Sequence, residues 1–114
     1  NVFVARGGAL LTPTTDVCLP GVSRAAVIRL AAAAGIEVRE RDLTLDDALG
    51  ADEGFVTSTS LCLCPVAFID GVRVGGPAAP VWGPMASMLR DAYTADVGLD
   101  FVAQYLAHLE PPPE

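Results

Sequence analysis

Two short runs in this chain have the residue types to hold an anion. Leu19-Pro20-Gly21-Val22-Ser23-Arg24 reads as a loop that turns on glycine and delivers Val22 and Ser23 to the start of a helix. Free backbone N–H groups and the positive end of the helix dipole suit such a point to a phosphate. Nearly every helix has such an end, however, and Ser23 also reads as an ordinary cap. The second run, Thr57-Ser58-Thr59-Ser60, places four hydroxyl residues where a strand is expected to stop. Hydroxyls and turn amides hold a phosphate or carboxylate oxygen without adding charge of their own. Alone, such a run is more often a solvated turn. Brought together by a fold, the two loops would make a two-sided anion cup.

Other reactive groups are sparse. All seven basic residues are arginines, so no side chain of this chain can form a Schiff base with a carbonyl compound. Cys18, Cys62 and Cys64 are an odd set, and the C-x-C pair lies in an apolar, strand-like run, which favours buried, reduced thiols. No metal site is expected, because the single histidine, His108, is far from that pair in sequence. A net charge of −7 argues against nucleic acid and against anionic membrane surfaces, which both need basic residues to neutralise phosphates. Arg24 and Arg29 interrupt the best apolar stretch, well short of the roughly 20 residues a membrane helix needs. With no signal peptide in view, a soluble, cytoplasmic protein is expected.

Behind these residues stand elements that can position them. At 114 residues, 52% of them hydrophobic, the chain has the size of one domain with a real core. It enters at once on an apolar alternation, Val2-Phe3-Val4-Ala5, with no initiator methionine before Asn1. That reads as a strand already inside a fold, so a further N-terminal part is expected upstream. Val2 to Ala5 and Ala9 to Leu11 make a hairpin around Gly7-Gly8. A helix should run from Val22 or Ser23 to Ala34, with Val27, Leu30, Ala31 and Ala34 facing the core, Gly35 ending it, and Arg24 and Arg29 left wet. Ile36 to Arg39 reads as a strand, and Thr44-Leu45-Asp46-Asp47 as a capping box opening a short helix that ends near Gly50. Gly54 to Thr57 should be a strand, Leu61 to Ile69 one buried strand, Asp70-Gly71 a hairpin turn, and Val72 to Val74 the return strand. Gly75 to Pro80 must be loop. Pro84 opens a helix over Met85 to Ala95, and another is expected over Leu99 to Leu109, before a frayed proline tail.

Read in order, these pieces resemble the class IV aminotransferases of the branched-chain type over nearly the whole chain. The resemblance rests on Asn1-Val2-Phe3 with Gly7-Gly8 and Thr12-Pro13, on Leu19 to Arg24, and on Val27 to Ala31 followed by Gly35 to Arg41 and Leu43 to Asp47. It continues with Ala51 to Phe55 running into Thr57 to Ser60, Pro65 to Gly71, and Gly83-Pro84 ahead of Tyr93. Gly75-Gly76-Pro77-Ala78-Ala79-Pro80 departs from the family's wording, and Leu61 to Cys64 is a variant of it.

The resemblance implies an α/β fold, a mixed sheet or pseudo-barrel with flanking helices, as the C-terminal domain of the fold type IV enzymes that use pyridoxal 5'-phosphate. Residues 1–110 would be the cofactor-phosphate domain and 111–114 the tail, with the N-terminal domain outside this chain. By position, backbone amides of the loop ending in Gly21, Val22 and Ser23 would hold the cofactor phosphate, and Leu19 would pack on the pyridine ring. Thr59 would add a phosphate contact, and Thr59 and Ser60 would take the substrate carboxylate. The family's Schiff-base lysine has no counterpart here, so the chain alone is expected to be inactive. Completed by its N-terminal part, it implies amino-group transfer between an amino acid, branched-chain by default, and a 2-oxo acid, in a homodimer. D-amino acid aminotransferases and aminodeoxychorismate lyases share the scaffold. A non-catalytic anion-binding or assembly module is the reading from a different class.

Overall fold

The computed structural model describes residues 1–15, 21–58 and 62–97. Strands β1 (Val2–Arg6) and β2 (Ala9–Thr12) form the expected hairpin. Gly7 and Gly8 supply φ angles of 59° and 83°, the paired positive values that a tight two-residue turn requires. Then follow α1 (Val22–Ala33), β3 (Val38–Glu40), α2 (Leu45–Leu49), β4 (Glu53–Ser58), β5 (Cys62–Pro65), β6 (Phe68–Ile69), β7 (Val72–Arg73) and α3 (Pro84–Val97). The main sheet has the order β3-β2-β1-β4-β5. Among the described strands only the β2–β3 pair is parallel; β1 runs antiparallel to both β2 and β4, and β4 to β5. The fold is therefore a mixed α/β sheet with flanking helices, as the sequence indicated.

Both faces of this sheet are covered, which is why β1 reads as a nearly continuous apolar run. On one face Phe3, Ala5, Leu10, Phe55 and Leu63 meet Val27 and Ala31 of α1 and Ala86, Leu89 and Tyr93 of α3. Phe3 and Phe55, partners across β1 and β4, stack with ring centroids 5.0 Å apart. The other face buries Val4, Leu11, Ala51 and Val74 beneath Leu43, Ala48, Val66 and Ile69.

Several expectations shift. Arg24 is not wet: it is 5% exposed, because its guanidinium donates to the Pro13 carbonyl at 3.0 Å and to Glu40 Oε1 at 2.5 Å. The buried stripe of α1 is Ser23, Arg24, Val27 and Ala31, while Leu30 is only half-buried and Ala34 is exposed. The third strand begins later than Ile36, because Ile36 is used in ending α1. Its amide bonds to Ala31 O at 2.9 Å and that of Gly35 to Ala32 O at 3.1 Å, the two bonds of a Schellman cap with Gly35 at φ 78°. The described part of the run expected over Leu61 to Ile69 is not one strand either. β5 ends at Pro65, the Val66 amide makes one more bond to Gly54 O at 2.8 Å, and Phe68, 60% exposed, starts a separate hairpin through Asp70 and Gly71. The helix expected over Leu99 to Leu109 and the tail lie outside the described residues.

Candidate functional site

Because β1 is antiparallel to both neighbours, its first residues lie beside the last residues of β2 and β4, and α1 begins at that same edge. The Asn1 amine donates to Thr57 O at 2.9 Å and the Thr57 amide to Asn1 O at 2.7 Å. The Thr12 hydroxyl donates to Val2 O at 2.8 Å. Gly21 sits close over this edge: a Cβ on it would come within 3.3 Å of Asn1 Nδ2, so glycine allows the loop to approach.

Gly21 is the N-cap residue of α1, in an extended conformation (φ −110°, ψ 151°), with no side-chain cap and no acid in the first turn. The first intrahelical bond is Ala25 N to Gly21 O at 3.0 Å, which leaves the amides of Val22, Ser23 and Arg24 without intrahelical acceptors. Val22 is 81% exposed, so this positive helix end is open. Ser23 is not a cap, since it lies inside the first turn and is buried. Its hydroxyl instead donates to Ser58 O at 3.0 Å and lies 3.5 Å from the Tyr93 hydroxyl.

The structure thus brings Gly21, Val22 and Ser23 against the beginning of the hydroxyl run. Thr57 and Ser58 still belong to β4, pairing with Leu63 and Cys62, rather than to a turn. Leu19, Thr59 and Ser60 lie outside the described residues. Sequence reasoning gave Tyr93 no role at the site, although it continues the stripe Ala86-Leu89-Tyr93 at helical spacing. Ser23's hydroxyl favours the Tyr93 phenolate, but burial, the Cys62 thiol and the charge of Asp96 outweigh it and raise this group above the ordinary phenol range. Tyr93 therefore stays a proton donor at neutral pH. Cys62 and Cys64 are free and half-buried.

Among the described residues no three His, Cys, Asp or Glu side chains converge as a metal site would need, and no helix is long and apolar enough to cross a membrane. A cavity of about 350 Å³ lined by Ala5, Gly8, Asp52, Pro84, Met85 and Met88 lies at the opposite end of the sheet.

The family model described as "Amino-transferase class IV" matches residues 1–69. This chain belongs to the class IV aminotransferase family. The branched-chain-amino-acid aminotransferase of Escherichia coli is 38% identical over 94 residues, which are 82% of this chain and 29% of that protein. The D-alanine aminotransferase of Listeria innocua is 35% identical over 98 residues, 85% of this chain and 33% of its own length. Among solved structures, an aminotransferase from Brucella abortus bound to the cofactor PLP superposes with a TM-score of 0.74 at 30% identity, over 86% of this chain and 33% of the other. The chain spans about a third of the length of the relatives it matches.

Proposed function

We propose that this chain is the cofactor-phosphate domain, residues 1–110, of a pyridoxal-5'-phosphate-dependent aminotransferase that moves an amino group between an amino acid and a 2-oxo acid. Branched-chain amino acids are the leading donors, since branched-chain enzymes head the relatives; the D-alanine enzyme marks the alternative. The observation that carries this reading is the open, acid-free start of α1 tied through Ser23 to the end of β4. An uncapped helix start without carboxylates favours a phosphate and repels none.

In this reading the amides of Val22 and Ser23 donate to the phosphate, and Gly21 lets the loop close over Asn1. Leu19 packs against the ring, Thr59 adds a hydroxyl to the phosphate, and Thr59 with Ser60 orients the substrate carboxylate. The bound cofactor supplies an electron sink for the carbon that exchanges its amino group. The lysine that holds the cofactor and moves the proton comes from outside this chain, which is inactive alone. The working enzyme is a cytoplasmic homodimer completed by an N-terminal part.

A titration of the 15N-labelled chain with pyridoxal 5'-phosphate, followed by amide shifts, tests the cup. Saturable shifts at Val22 and Ser23 are expected with this ligand and weaker ones with pyridoxal, which lacks the phosphate. Equal responses to both ligands would sink the reading. Intact mass is the companion measurement. Any cofactor absorbance that survives removal of free ligand must come with a second, lysine-bearing polypeptide beside the 11.8 kDa species. A chain that shifts with simple anions but never acquires such absorbance, even in its native complex, would favour a non-catalytic anion-binding module.

A further inference from the structure

A polar line, buried at Tyr93 and Ser23, joins three elements beside the cup. It runs from Tyr93 on α3 to Ser23 on α1 and on to the backbone of Ser58 at the end of β4. Its direction follows from proton counting. Ser23 has one hydroxyl proton, and it goes to the Ser58 carbonyl, which can only accept. With the phenol neutral, the proton between Ser23 and Tyr93 is therefore the phenol's, and Tyr93 is the donor. Tyr93 is 7% exposed and Ser23 6%, so water does not freely replace the bond between them. Cys62, held at a φ of 57°, lies beside the same phenol.

A buried tyrosine usually needs only some partner for its hydroxyl, and Ser23 would serve. What distinguishes this pair is where the line ends. Ser23 carries one of the open amides of α1, and Ser58 is the strand residue immediately before Thr59. The line spans the two walls of the anion cup.

Building on the function proposed above, we propose that Tyr93 is a positioning residue of that cup: its hydroxyl holds the Ser23 hydroxyl on the Ser58 carbonyl and so fixes the spacing between the α1 amides and the end of β4. At 3.5 Å the Tyr93–Ser23 contact is long for an O–H···O bond, so its contribution to folding is small. Its effect is on preorganisation: without it Ser23 can rotate away and the two walls move separately, a cost met when the anion binds.

The test is amide-shift titration of the full chain with inorganic phosphate and with pyridoxal 5'-phosphate, in wild type, Tyr93→Phe, Ser23→Ala, the double variant and Ser23→Thr. Tyr93→Phe is expected to weaken both ligands about three- to tenfold through lost preorganisation, with an almost unchanged melting temperature. Ser23→Ala should lose as much and the double variant no more, because both remove the same line. Ser23→Thr, which keeps a hydroxyl, should restore binding. If Tyr93→Phe binds both ligands as wild type does, or if the two losses simply add, the positioning role is wrong while the cup stands. If the wild-type chain shows no phosphate-dependent shift at Val22 and Ser23, the cup and the role of Tyr93 fall together.

Discussion

The three helices among the described residues begin with the same problem and meet it in three ways. Helix α2 caps itself: Thr44 accepts from Asp47 N at 3.1 Å, and Asp47 in turn takes the Thr44 amide at 2.9 Å. Helix α3 is capped from elsewhere by Glu53, whose carboxylate accepts from Met85 N at 3.0 Å and Ala86 N at 2.6 Å. Helix α1 has neither a side-chain cap nor an acid in its first turn. Unsatisfied first-turn amides are an ordinary cost of helix formation. Two of these ends are closed with carboxylates and the third has none; the open one is the end that the proposed function gives to an anion from outside. Substitutions that remove a cap, or add one, turn this contrast into numbers.

The largest effect belongs to Glu53. It is 8% exposed, and its bonds to α3 are charge-assisted bonds to backbone amides in the interior. Glu53→Ala strands two buried donors, and loss of that cap should cost about 3 kcal/mol in urea unfolding. Glu53→Gln keeps one good acceptor and should cost about half as much. Gly83 belongs to the same unit, since a Cβ there would lie 2.5 Å from the Glu53 carboxyl carbon. Gly83→Ala should therefore displace the carboxylate and destabilise the fold as Glu53→Gln does. Were Glu53→Ala no worse than an exposed surface change, the closed start of α3 would not be what secures that helix.

A smaller effect is expected at α2, whose cap is exposed. Thr44→Ala should cost about 1 kcal/mol, the usual value for an N-cap serine or threonine. The pH dependence follows from Asp47. Hydrogen bonds from the Thr44 amide, then from Arg41 and the Thr44 hydroxyl, lower its pKa from 3.8 to about 2. A folded-state pKa below the unfolded one stabilises the fold at all pH values above the unfolded pKa. That contribution fades as pH falls from 3.8 towards 2. The stability gap between wild type and Asp47→Asn, measured by thermal melts, should thus be full at neutral pH and close across that acid range. A gap that persists at pH 2 would mean that the capping box works without its charge.

This contrast also marks what the sequence could show. The α2 cap was readable because both partners lie within four residues, Thr44 to Asp47, and the Gly7-Gly8 and Asp70-Gly71 turns were readable for the same local reason. The open start of α1 was visible as Leu19 to Arg24 and acquired meaning from family resemblance. Glu53 gave no local sign, because its partners are 32 and 33 residues away. Arg24 looked like a solvent-facing residue on an alanine-rich helix, and only the fold brings Pro13 and Glu40 to it. Tyr93 entered the sequence reading only through the family resemblance, and its tie to Ser23 spans 70 residues. Local chemistry is written in order along the chain, whereas the contacts that join the walls of the site depend on the sheet bringing distant ends together.

The smallest stability effect is expected at α1, and its sign is opposite to the others. Val22 is the first helical residue and 81% exposed, so Val22→Asp introduces a carboxylate without steric conflict. A negative charge there interacts favourably with the helix dipole, and unfolding should become harder by about 0.3–1 kcal/mol. The same charge stands where the phosphate is expected and should weaken phosphate binding about tenfold, since like charges at close range repel. A variant that is more stable yet binds less anion is what an end kept open for a ligand predicts. If Val22→Asp gains stability and binds phosphate as before, the anion lies elsewhere and the open start of α1 is merely uncapped.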